Sequence, residues 1–388
     1  MLSGVHRNSR QELVVYGRPA LEALTDTTKA FGARRLMITT THSLGGPNGL
    51  ATRLAQGLGS HCVGVFDRIG AHSPREGVVA GAQKARALDC DLLIAVGGGS
   101  VIDATKVMQL CLWAGLSRTE DLDAYRVGPG PDRVDAAALT PTVRMIAIPT
   151  TLSAAEFSPF AGVTDSAHKS KEGYAHPLLA PRAVVLDPAM TLNTPPELWF
   201  STGIKAVDHA VEQLCNPMRA PFADALAADG LRRLSGGLPP TRSAPGDLDA
   251  RLECQLGMWL AMSGAGAGRG LGASHAIGHT LGGTYGVPHG LTSCVILPAV
   301  LAWNAAADSG RQDLIRELMG ASAGSASDAV KALCGDLGLP TDLASVGIGP
   351  DLFRAIAEHT MHDRGVRSNP RPIRGADDVV EILDLARG

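Results

Sequence analysis

The chain has 388 residues, 45% of them apolar and 19% charged, which suits two packed domains and excludes a disordered polymer. A net charge of −3 without any long basic run argues against a nucleic-acid surface, because neutralising phosphates takes clustered Lys and Arg. No window reaches the roughly 18–20 uninterrupted apolar residues of a spanning helix, and the seven cysteines lack C-x-x-C or zinc-finger spacing, so we expect free thiols, a cytoplasmic location and no membrane partner. In chain order, short β-branched runs at Leu13–Tyr16, Arg35–Thr39, Cys62–Phe66, Asp91–Val96, Arg144–Ile148 and Ala183–Leu186 read as strands. Amphipathic stretches between them, Ala20–Phe31, Gly49–Leu58, Glu76–Ala87 and Ile102–Trp113, read as helices. Strand and helix in alternation predict an α/β domain with a parallel sheet covered on both faces. After Asp187-Pro188 the texture turns to long Ala- and Leu-rich stretches, so the expected division is an α/β dinucleotide-binding domain over 1–187 and an all-helical catalytic domain over 188–388. Ser235 to Pro245, rich in Gly, Pro and Ser, reads as a surface loop.

The most informative stretch of the first half is the apolar run from Asp91 that ends in Gly97-Gly98-Gly99-Ser100 and continues through Asp103 to Lys106. Glycines let a backbone approach a diphosphate closely, and the unpaired N–H groups and positive dipole end of the following helix favour an anion. Ser100 and Asp103 read as an N-cap and its partner three residues on. A bare glycine turn would look similar, and the G-x-G-x-x-G fingerprint is absent. A second segment, Pro149-Thr150-Thr151-Leu152-Ser153-Ala154-Ala155-Glu156, places hydroxyls at the carboxyl end of a strand, where open α/β sheets bind ligands. Taken alone it could equally be a capped turn.

The second half gathers histidines. Lys205 and His209 are four apart and share a helix face, as do His275 and His279, and His289 follows a Gly-Val-Pro turn. Several convergent imidazoles point to a metal site or a proton-handling pocket. Any one of them alone would be an ordinary core histidine.

These residues resemble the iron-dependent (group III) alcohol dehydrogenases, whose fold is shared with maleylacetate reductases, glycerol dehydrogenase and dehydroquinate synthase. The resemblance covers nearly the whole chain. It implies that Gly97, Gly98, Gly99, Ser100 and Asp103 bind the pyrophosphate of NAD or NADP, that Thr150, Thr151 and Leu152 form a second cofactor loop, and that Lys171 contacts ribose. Thr40 falls where the family has an Asp that selects NAD, so NADP or dual use is implied.

The family's metal set, an Asp and a His four apart and two later histidines, falls on Lys205, His209, His275 and His289. A lysine in the Asp position sets a cation against a cation, and the expectation is therefore no bound metal; if one is present, His209, His275 and His289 are its ligands. Maleylacetate reductases are similar here and offer the mechanistic pattern. Lys205 and His209 would stabilise a developing oxyanion while His275, His279 and His289 orient the substrate and move the proton. Asp208, about 100° around the helix from His209, reads as a partner of Lys205.

The expected protein is thus an NAD(P)-dependent reductase of a small carbonyl or unsaturated keto acid, acting on a small-molecule substrate as a homodimer. The alternatives are a metal-dependent alcohol dehydrogenase, a dehydroquinate-synthase-like lyase, disfavoured by the lack of a basic cluster for a substrate phosphate, and a catalytically silent nucleotide-binding protein.

Overall fold

The structure is a computed structural model that describes residues 10–128, 133–265 and 270–388. Of these, the residues up to Asn193 form one compact unit and Thr194–Gly388 another.

The first unit holds a six-stranded sheet built from β1 (Leu13–Tyr16), β2 (Leu36–Thr39), β3 (Cys62–Phe66), β4 (Leu92–Gly97), β5 (Arg144–Pro149) and β8 (Ala183–Leu186). Every pairing is parallel, in the order β1-β8-β5-β4-β2-β3. Helices α1 (Ala20–Ala30), α2 (His42–Gly45), α3 (Leu50–Leu58), α4 (Arg75–Ala87) and α5 (Gly99–Ala114) connect the strands. The central strands β2, β4 and β5 are apolar and buried on both faces, because helices cover both sides of the sheet. On one side Ala23, Leu24 and Leu54 pack with Ile38, Ile94, Val96 and Ile146. The chain leaves β2 toward β3 on one side and leaves β4 toward β5 on the other. Neighbouring strands that diverge in this way open a crevice at their carboxyl ends, and the glycine turn sits there, at the end of β4.

A two-stranded antiparallel hairpin, β6 (Phe160–Asp165) and β7 (Ser170–Ala175), was not expected. Its sequence is polar and glycine-containing, and its buried positions alternate over too short a run to stand out. Burial of Arg75 accounts for much of it. This guanidinium, only 4% exposed, is ringed by Asp123, Asp165, Glu172 and the Tyr174 hydroxyl, three of them on the hairpin.

The second unit has no strand among its described residues. It is built from α6 (Pro196–Cys215), α7 (Pro221–Ser243), α8 (Leu248–Ala265), α9 (Ala273–Tyr285), α10 (His289–Asn304), α11 (Ser309–Leu318), α12 (Ala326–Asp336), α13 (Phe353–Thr360) and α14 (Ala376–Leu385). Helix α6 is buried on all sides from Trp199 to Cys215, the mark of a central helix rather than a surface one.

Of the loop expected at Ser235–Pro245, all but Ala244 and Pro245 is instead the last part of α7, with Pro239 and Pro240 inside the helix. Tertiary contact overrides propensity here. A Cβ at Gly230 would meet Ala261 N at 2.8 Å and one at Gly257 would meet Gly230 O at 3.0 Å, so α7 and α8 touch backbone to backbone. Among the described residues no helix is long and apolar enough to cross a membrane.

Candidate active site

In the first unit the glycine turn and the hydroxyl segment are one structure. Gly97 ends β4 at φ +155, a conformation that favours glycine, and its carbonyl accepts the Thr150 N–H at 3.1 Å. A Cβ added to Gly98 would lie 2.9 Å from Thr151 Cγ2, and one added to Gly99 would lie 3.1 Å from Ser153 Oγ. The Thr151 and Ser153 hydroxyls are buried and lack a hydrogen-bond partner. Orphaned hydroxyls packed against a glycine turn at the amino end of α5 fit a diphosphate.

The proposed capping box is not formed, since Gly98 is the N-cap of α5 and makes no side-chain bond. Ser100 instead ties the turn to the loop before α4, accepting the His72 N–H on Oγ and the Ser73 hydroxyl on its carbonyl. Asp103 accepts the Gly162 N–H at 3.0 Å and faces Lys106, whose buried ammonium donates to the carbonyls of Ala155 and Phe160, both at 2.6 Å.

Leu152 is fully buried, and Lys171 is exposed on β7, its stem lying over Gly162. Thr40, expected at the position of the family's NAD-selecting Asp, directly follows β2. It has no exposure, and its hydroxyl donates to Val96 O at 2.7 Å, fastening β2 to β4. Glu156 is also fully buried, neither carboxyl oxygen has a partner, and burial pushes its pKa up to about 7.

In the second unit the five residues singled out in the sequence come together. Lys205 on α6 places Nζ 2.8 Å from Nε2 of His289, the first residue of α10. His289 stacks on His279 (centroids 5.8 Å apart, 9° between planes), His279 meets His275 edge to face at 6.3 Å, and His275 stacks on His209 at 4.8 Å. Burial first, then the nearby His275 and Lys205, hold the His209 pKa well below its ordinary value. Burial likewise carries His275 down to about 3. Both are neutral imidazoles at physiological pH.

Carboxylates that the sequence reading passed over set the ring orientations. Glu212 Oε2 lies 2.7 Å from His275 Nδ1, and the same carboxylate accepts the Gly272 and Ser274 N–H groups at the start of α9. Asp208 is not the partner of Lys205 that its spacing suggested. Its Oδ2 accepts the hydroxyls of Ser274 and Ser293 and lies 3.4 Å from His275 Nδ1. Asp363 accepts from His279 Nδ1 at 2.9 Å. Glu212 had a signal, lying three residues after His209 on the same helix, whereas Asp363 is 84 residues from its imidazole and had none.

With both carboxylates on its Nδ1 side, His275 is left with a buried Nε2 that has no partner. Asp208, Glu212 and His275 also offer donor atoms within 4.8 Å of one another, but the Glu212 oxygens and one of Asp208 are already taken by N–H and O–H groups. That cluster is a hydrogen-bonded support for the ring.

Comparison with known proteins agrees with this organisation. The profile described as iron-containing alcohol dehydrogenase matches residues 12–188, and that of the C-terminal part of the Fe-containing alcohol dehydrogenase family matches 199–386. The chain belongs to this family. It is therefore an oxidoreductase of the dehydrogenase/reductase kind. A dehydrogenase of Gibberella moniliformis is 34% identical across 98% of this chain and 97% of its own length. Maleylacetate reductase 2 of Cupriavidus pinatubonensis is 32% identical across 96% and 94%. Among solved structures, maleylacetate reductase from Agrobacterium tumefaciens superimposes with a TM-score of 0.84 at 27% identity, covering 100% of this chain and 99% of that one.

Proposed function

We propose that this chain is an NAD(P)-dependent reductase of a small carbonyl or unsaturated keto acid, in which the Lys205 ammonium does the work a metal ion does elsewhere in the family. One observation carries the reading: the amine at position 205 is 2.8 Å from His289 Nε2, the atom a metal would need. Iron, which the family name implies, suits these donors poorly. An ammonium so close to one imidazole leaves a divalent cation both repelled and short of a ligand.

The dinucleotide does fit, through Gly97, Gly98, Gly99 and the orphaned hydroxyls of Thr151 and Ser153. When bound it supplies or accepts the hydride. Lys205, bonded to His289, brings its positive charge to an oxygen that gains negative charge, an electrostatic stabilisation of the oxyanion-site kind. His275 is held by Glu212 with hydrogen on Nδ1, so its Nε2 lone pair can accept the hydroxyl hydrogen of an alcohol or an enol. Half-exposed His279, bonded to Asp363, moves the proton. The buried Nε2 of His275 also favours a second reading, a metal-dependent alcohol dehydrogenase using His209, His275 and His289.

The test is oxidation of NADH and NADPH by purified protein with aldehydes, keto acids and maleylacetate, before and after chelation, with metal content measured alongside. Turnover that survives chelation supports the ammonium mechanism. A stoichiometric metal with chelator-sensitive turnover selects the second reading, and bound dinucleotide with no turnover of any substrate would mean a silent protein.

A further inference from the structure

Among the described imidazoles of the second unit, His279 alone is both well exposed and paired with a carboxylate that is itself held from a third side. Its side chain is 54% exposed, whereas His209 and His275 are 4% and 5% exposed. Asp363 follows α13 and opens the short turn Arg364–Ser368. One of its oxygens accepts the Gly365 N–H at 2.7 Å, which leaves the other to take His279 Nδ1 at 2.9 Å.

The turn is fixed against α9 independently of that bond. Ser368 Oγ donates to Leu271 O at 2.7 Å, Thr360 Oγ1 lies 3.1 Å from Thr280 Oγ1, and a Cβ on Gly365 would come within 2.8 Å of Gly272 O. The carboxylate is thus placed by the backbone around it and not by the imidazole it serves.

We propose that Asp363 is a positioning residue that fixes the tautomer and ring orientation of His279 and so makes His279 the entry point for the proton consumed in the reaction. With Nδ1–H directed at Asp363, the Nε2 lone pair is the free end of the ring. That atom takes a proton from water and gives it to the substrate oxyanion, returning to the neutral ring, while Asp363 stays a carboxylate throughout. The parallel stacking of His279 on His289, which holds Lys205, puts this proton donor beside the ammonium that would bind the same oxygen. The inference rests on the reductase reading above.

The experiment compares wild type with Asp363→Ala, Asp363→Glu, His279→Gln and the double variant in the full-length protein. Asp363→Ala should lower kcat roughly 10- to 100-fold, below the 10²–10⁴ of a general acid itself, with KM and dinucleotide Kd within about twofold. Asp363→Glu should restore at least part of that loss. Adding Asp363→Ala to His279→Gln should cost nothing further, because the carboxylate acts only through the ring. In ¹⁵N spectra the His279 Nδ1–H form, assigned by its disappearance in His279→Gln, should dominate in wild type and give way to a tautomer mixture in Asp363→Ala.

An unchanged kcat in Asp363→Ala, or additive losses in the double variant, overturns the proposal, as does a wild-type ring with no preferred tautomer. If wild type turns over no carbonyl substrate, the reductase reading fails instead, and the ¹⁵N spectra still decide whether Asp363 fixes the ring.

Discussion

The two units make their sites from different materials. The glycine turn of the first is mostly backbone: three residues without side chains at the end of one strand, with a single packed-on segment supplying hydroxyls. The histidine cluster of the second is all side chain, drawn from α6, α9, α10 and the turn after α13 and oriented by buried or half-buried carboxylates. A backbone site tolerates change in most side chains but none in its glycines. A side-chain site can exchange one chemistry for another at a single position.

The sharpest way to break that contrast is Lys205→Met, which keeps the bulk and removes the charge. Removing one oxyanion donor costs about 10²–10³ in kcat, and dinucleotide affinity, measured by fluorescence titration, should stay within about twofold. Equal loss of both would make Lys205 a structural residue.

Glu156→Gln probes the first unit through stability. The Glu156 pKa rises from 4.5 to about 7 on folding, so its contribution is fully present below the unfolded value and is lost as pH rises through 7. The glutamine cannot ionise. Denaturant melts should therefore coincide at pH 4 and favour the variant at pH 8 by about 3 kcal/mol, an order-of-magnitude reading of the shift. A variant no more stable at pH 8 would show that the buried carboxylate is compensated after all.

Gly98→Ala sets a methyl against Thr151, and overpacking of this kind costs about 1–3 kcal/mol. Dinucleotide Kd should weaken roughly tenfold with kcat at saturation little changed. Smallest should be Thr151→Val, which deletes only the partnerless hydroxyl: a loss of about 1 kcal/mol in dinucleotide binding is expected if that group meets the ligand, and an unchanged Kd would remove it from the site.

Legibility in the sequence follows the same contrast. Strands buried on both faces announce themselves as apolar runs, so the sheet and the glycine turn could be placed before any coordinates. Lys205, His209, His275, His279 and His289 were visible as helix-face repeats and as positions matching a family pattern. What held them was not. Glu212 and Asp363 act across 63 and 84 residues, separations that local periodicity does not report. The errors have the same origin. Asp208 at i+3 was assigned to the nearest charge along its own helix, yet Ser274 and Ser293 on two other helices claim it. Pro239-Pro240 argued for a loop, yet glycine-mediated contact between α7 and α8 sustains a helix.

Helix α6 carries Lys205, Asp208, His209 and Glu212 within little more than two turns while being the most enclosed helix of its unit. Amides in such a segment open to solvent only when the whole unit does, so hydrogen exchange there should track global unfolding. Heating would then spare the reactive groups until the fold itself gives way.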